Sequence, residues 1–193
     1  MIFSRKRRSE PAFLLVNLNA RLQPMHRGEH YEDALDRALA RDDPGSSVVG
    51  GGTLLDDDGE VLSCDIEVSL VNDAQSGLRI VVDALERIGA PVGSTARLDG
   101  GEPVAFGVMQ GVGLYLNGTD LPDEVYATSD VNALVEVVSA AVGDAGRLES
   151  WFEGARETAF YFYGPSAETI SERIAAATAD QPLAERARLV SLT

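Results

Sequence analysis

A single cysteine, Cys64, excludes any internal disulfide bond. That scarcity fits a reducing cytoplasm. The chain has only two histidines, His26 and His30, and neither has an evident serine or cysteine partner. With no G-x-S-x-G present, no nucleophile–base set can be read from the sequence. No run approaches the roughly 18 apolar residues of a membrane-spanning helix. The basic start, Met1 to Arg8, has no apolar segment after it: Phe13–Val16 is short and Asn17 interrupts it, so no secretory signal is expected. Positive charge is also scarce, with 16 Lys and Arg against 31 Asp and Glu and a net charge of −15. Such a field repels nucleic-acid phosphates and anionic membranes. The expected partners therefore include neither. The acidity reads either as a solvated surface or as the complement of a basic partner protein.

What the chain does have is enough apolar matter for a core: 45% of 193 residues, sufficient for one large domain or two small ones. Residues 1–12 read as a frayed, disordered basic tail. From Phe13 to Leu22 an apolar run turns into alternation, with Leu14, Val16, Leu18, Ala20 and Leu22 on one face, as in a strand. Gln23–Gly28 reads as a loop. Tyr31, Ala34, Leu35, Ala38 and Leu39 recur at helical spacing over 29–40. Ser47–Thr53 and Val61–Val71 read as the arms of a hairpin turned at Asp58-Gly59. In the second arm Leu62, Cys64, Ile66, Val68 and Leu70 alternate with polar residues. A helix over 76–88, capped by Asn72-Asp73, and a short strand over 95–98 complete the order β-α-β-β-α-β.

Asp99–Pro103 reads as a linker, after which the same order recurs. A glycine-interrupted strand ends at Asn117, and Leu121–Ala127 reads as an excursion with a short strand. A helix over 131–142 then leads to a hairpin at 148–152 and 158–163, a helix over 166–179 and a closing strand over 188–192. In the aromatic run Phe160–Tyr163, Tyr161 and Tyr163 must share one strand face and Phe160 and Phe162 the other. The pattern predicts an α+β fold of two tandem βαββαβ ferredoxin-like units, each an antiparallel sheet with helices on one face. The first unit covers 13–99 and the second 100–193.

Few residues invite chemistry. Gly50-Gly-Gly-Thr53 lacks the Lys-Ser/Thr of a phosphate loop, and no helix follows it, so it reads as a bulge or a close backbone approach. His26 and His30 are four apart, but His26 falls outside the predicted helix. They read as part of a polar loop, and no metal or cofactor is expected. Asp56–Asp58 lacks the full calcium-loop pattern. Cys64 lies on the apolar face of its strand and reads as a small buried hydrophobe. The densest polar set is Arg21, His26, Arg27 and Glu29, faced by Asp65 and Glu67. It reads either as a small-ligand or enzyme site or as structural pairing, with Arg21 bonded across strands to Asp65 or Glu67. Trp151, Tyr161 and Tyr163 form a candidate partner surface, unless the tyrosines are buried against the other unit.

The segments Asn19–Glu29, Gly50–Thr53, Cys64–Glu67, Gly89–Ser94, Leu116–Tyr126 and Glu149–Pro165 resemble the motifs of a family of uncharacterised bacterial proteins. The resemblance covers nearly the whole chain after its first dozen residues and brings no established activity with it. At the level of fold alone, the acidic hairpin unit is similar to an acidic regulator that inhibits a ribonuclease and to toxin-neutralising immunity proteins. The resulting expectation is a non-catalytic, acidic, cytoplasmic module that binds or regulates a protein. Its alternative is a small-ligand-binding protein or enzyme built around Arg21, His26, Arg27, Glu29, Asp65 and Glu67.

Overall fold

The computed structural model describes residues 10–192, so most of the predicted basic tail (residues 1–9) lies outside the described residues. Strand β1 (Ala12–Leu18) opens the first sheet. Proline then starts a helix earlier than its periodicity predicts. Pro24 occupies the first turn, where its fixed φ suits the helix and its missing N–H is not needed. Helix α1 (Pro24–Arg27) runs through a π-helical turn over Gly28–Glu32 into α2 (Asp33–Asp42). The predicted loop at 23–28 is thus mostly helix. Hairpin β2 (Ser47–Leu55) and β3 (Val61–Leu70) follows. Helix α3 (Ala74–Ile88) begins where Asp73 accepts the Ser76 N–H at 2.8 Å. Strand β4 (Ser94–Leu98) comes next.

Asp99–Pro103 does not bridge the sheets. It makes the turn into β5 (Val104–Phe106), which pairs antiparallel with β4. The chain crosses to the second sheet just afterwards, at Gly107. There φ is +115° and any Cβ would lie 2.0 Å from Pro91 O, so only glycine fits. The second sheet holds β6 (Gln110–Asn117), β7 (Arg147–Glu153), β8 (Glu157–Gly164) and β9 (Arg188–Ser191). Between β6 and β7 lie α4 (Asp123–Thr128) and α5 (Val131–Val142), and α6 (Ala167–Thr178) precedes β9. The predicted excursion at 121–127 is mainly helical: Pro122 precedes its first turn, and Asp123 and Glu124 complement the positive end of the helix dipole.

The sheet orders are β2-β3-β1-β4-β5 and β7-β8-β6-β9. Leaving β5 aside, both follow the order second, third, first, fourth within their unit. These are two tandem ferredoxin-like units with antiparallel sheets, as the pattern predicts. Leu14, Val16, Leu18, Cys64, Ile66, Val68 and Leu70 of the first sheet pack under α2 and α3 with Leu35, Leu39, Val81 and Leu85. Val112, Leu114, Leu116, Phe160 and Phe162 of the second meet Leu134, Val138, Ile170 and Ile174. The opposite face of the second sheet joins the first core instead, through Tyr115, Ala159, Tyr161 and Tyr163. Among the described residues no helix is long and apolar enough to cross a membrane.

Candidate functional site

The β1–α1 connection and the tip of the β2–β3 hairpin cover the second sheet's tyrosine face. A partly buried polar network fastens them there. Glu60 Oε1 accepts from Tyr115 OH at 2.5 Å and Tyr161 OH at 2.7 Å, and Arg21 pairs with the same carboxylate. The backbone N–H of Arg21 donates to Tyr163 OH at 2.9 Å. Desolvation, together with the hydrogen bond to Glu60, pushes the Tyr115 hydroxyl up to about 12 and raises Tyr161 further. Both phenols remain donors at neutral pH. Nearby, Tyr31 OH donates to the buried Glu149 at 3.0 Å, and Arg147 pairs with the same carboxylate at 2.7 Å. Burial raises the Tyr31 hydroxyl well above its ordinary value. No buried side-chain nitrogen or oxygen among the described residues lacks a partner. The network therefore acts as fastening, with no idle acid or base aimed at a substrate.

The six residues of the predicted polar set are divided among separate places. Arg21 belongs to the seam between the units and pairs with Glu60, not with Asp65 or Glu67. His26 is buried, with Nδ1 2.9 Å from Ser150 Oγ and its ring 4.4 Å from that of Trp151. Burial holds its imidazole below the ordinary value; His30 adds to the shift and Glu29 opposes it. Arg27 is buried too. It donates to Glu32 Oε1 at 2.5 Å and to Gly52 O at 2.7 Å, lying across Gly51, where a Cβ would sit 3.0 Å from its Nη2. The glycine run is thus a close approach of an ion pair to backbone. Glu29 is exposed on the π-helical turn. Asp65 accepts from Asn17 Nδ2 at 2.9 Å, on the sheet face away from the helices. Glu67 lies further along that face. Glu67 also lines a recess on that face. Tyr161 and Tyr163 are buried against the first unit, leaving Trp151, 41% exposed, as the accessible member of the candidate aromatic surface. Cys64 is buried, and desolvation pushes its thiol up to about 12, far from nucleophilic. Among the described residues, no group of three or more His, Cys, Asp or Glu is placed to hold a metal ion.

Among the described residues, the uncovered face belongs to the first sheet. Along β1, the residues pointing away from the helices are Phe13, Leu15 and Asn17, with Phe13 53% exposed. Across from them, Glu67 pairs in register with Leu15 on β3 and Arg97 with Leu15 on β4. Phe13, Leu14, Leu15, Glu67, Arg97 and Asp99 line a recess of about 300 Å³. It is an apolar floor with a mixed but mainly acidic rim. Sequence reading missed it because Arg97 and Asp99 meet Phe13 only through the β1–β4 pairing. The alternation of β1 was the available signal. A second recess of about 260 Å³ lies at the seam, where Arg147 and Glu149 already pair with each other.

No family model matches the chain, and no curated protein matches it. The motif resemblance and the likeness to ribonuclease-inhibiting regulators and immunity proteins therefore gain no support from sequence comparison. Several solved structures align along most of the chain. A protein of unknown function from Galdieria sulphuraria is 12% identical over 95% of this chain and 98% of its own, with a TM-score of 0.31. The regulatory subunit of aspartate kinase from Thermus thermophilus is 16% identical over 86% and 93%, with a TM-score of 0.26. A mutant chlorite dismutase from Candidatus Nitrospira defluvii is 9% identical over 95% and 91%, with a TM-score of 0.32. Likeness at this level says nothing about what the chain binds.

Proposed function

We propose that the chain is a non-catalytic binding or regulatory module whose first sheet meets a basic protein partner in a cytoplasmic setting. One observation carries the reading: of the four sheet faces, the one bearing Phe13, Leu15, Asp65 and Glu67 has, among the described residues, neither helices nor the other unit over it. An exposed aromatic on an apolar floor with an acidic rim suits a partner that brings apolar contact and positive charge. The net charge of −15 favours encounter with such a partner and disfavours nucleic acid. The supporting result is a partner retained by immobilised protein at low salt, released near 0.5 M salt, and not retained by the Phe13→Asp/Glu67→Lys variant. Circular dichroism would verify that the variant is folded. Retention indifferent to both substitutions, or turnover of a metabolite by the purified chain, overturns the proposal.

A further inference from the structure

The two sheets end in four edge strands, and three of them are short or sealed. β5 has three residues and β9 four. β7 has seven, but side chains of the first unit close its backbone: Gln23 Nε2 donates to Trp151 O at 2.7 Å, and His30 Nε2 lies 3.1 Å from Glu149 O. The remaining edge, β2, runs nine residues as Ser-Val-Val-Gly-Gly-Gly-Thr-Leu-Leu, with no charge and no proline. Among the described residues no strand pairs with its outer side. Side chains bond to it through Asp36 at the Val48 N–H and through Arg27 at Gly52 O and Thr53 Oγ1. Bulges at Val48/Gly50 and Leu54/Leu55 leave Gly50–Leu54 in straight register. Val49, Leu54 and Leu55, which flank or end that stretch, are all more than half exposed. Natural sheets guard long edges with lysine, proline or shortness, and β2 has none of these, although its two bulges limit the open length.

We infer that β2 accepts an extended, basic segment of a partner protein as an added antiparallel strand. This deepens the proposed function and rests on it. Charge selects the occupant. A Cβ on Gly50 would lie 3.2 Å from Glu67 Oε2, and one on Gly52 would lie 3.7 Å from Asp65 Oδ2, so bare backbone separates these two carboxylates from the edge. An added strand would lie two strand spacings from β3, about 9–10 Å. Lysine or arginine opposite Gly50 and Gly52 spans that gap over the glycines, where a side chain on β2 would block the way. Asp56, Asp57 and Asp58 extend the acidic ground beyond Leu55. A second copy of the chain fits poorly, because β2–β2 pairing brings the carboxylates of Asp65 and Glu67 toward their own counterparts.

The test uses the full chain and three synthetic peptides: alternating Lys-Val, alternating Glu-Val, and the same Lys-Val sequence N-methylated at every backbone amide, which keeps the positive charge but cannot donate to a ladder. Fluorescence anisotropy at low salt measures binding, and amide hydrogen exchange by NMR locates it. Lys-Val binds and slows exchange within Gly50–Leu54. The N-methylated peptide binds at least about tenfold more weakly, Glu-Val does not bind, and Val49→Lys/Leu54→Lys weakens Lys-Val at least about tenfold. If Lys-Val binds but protection appears only around Phe13 and Arg97, strand addition fails while partner binding by the sheet face stands. If no basic peptide binds, both fail. Self-association through β2, or binding seen only after removal of the basic residues 1–9, assigns the edge to a second copy or to the chain's own start and overturns the inference.

Discussion

Among the described residues, the first sheet carries helices on one side and nothing on the other, whereas the second, wound in the same order, is covered on both. The difference is written along the strands. β1 and β3 alternate between buried and open positions, while β6 and β8 are buried almost without interruption. The second unit gives up its free face to hold the first, and only the first keeps one available. A ferredoxin-like sheet has one spare face, and this chain puts one of its two to structural use.

Substitutions along β8 and β1 test this contrast most sharply. Tyr161→Ala and Phe162→Ala remove buried rings from opposite faces of β8, and each is expected to lower unfolding free energy by about 3–5 kcal/mol in urea titrations. A small effect at Tyr161 would mean that its face is not packed as described. Next comes the fastening itself. Tyr31→Phe deletes the donor to Glu149 without changing shape and is expected to cost about 1–3 kcal/mol in the same measurement.

Acid weakens the seam through His26. Its folded value lies below that of the unfolded chain, near 6.5. In the window between the two values the unfolded chain holds the extra proton. Stability is therefore kept above the unfolded value and lost as pH falls through the window. Urea midpoints between neutral and mildly acidic pH should decline less for His26→Gln than for the parent, and an equal or steeper decline in the variant contradicts the assignment. The smallest effect belongs to the bare face: Phe13→Ala should move stability by no more than about 0.5 kcal/mol. If it costs as much as Tyr161→Ala, something covers that face.

Much of the architecture could be read from periodicity. Alternation in β3 correctly buried Cys64, Ile66, Val68 and Leu70; Leu62 broke the pattern beside the bulge at Leu54/Leu55 and is exposed. Strand parity divided Tyr161 and Tyr163 from Phe160 and Phe162 as the structure does. What buries the tyrosines was not legible, because Glu60 meets Tyr161 across 101 positions of chain and neither residue signals the other locally. Helix α1 hid behind Gly28, a poor helix former that sits in the π-helical turn. Three-residue β5 has no pattern of its own and exists only because β4 is beside it. The polar set around Arg21 failed to assemble for a related reason: Arg21, His26, Arg27 and Asp65 bond to Glu60, Ser150, Glu32 with Gly52, and Asn17, partners that adjacency in sequence does not suggest.

The position of Trp151 has a practical consequence. The chain's sole indole sits on β7 of one unit, with the His26 ring of the other 4.4 Å away. Shearing one unit past the other strips that fluorophore of its neighbour while both halves stay folded. An emission shift that precedes any loss of circular dichroism would time the separation of the halves, with no label attached.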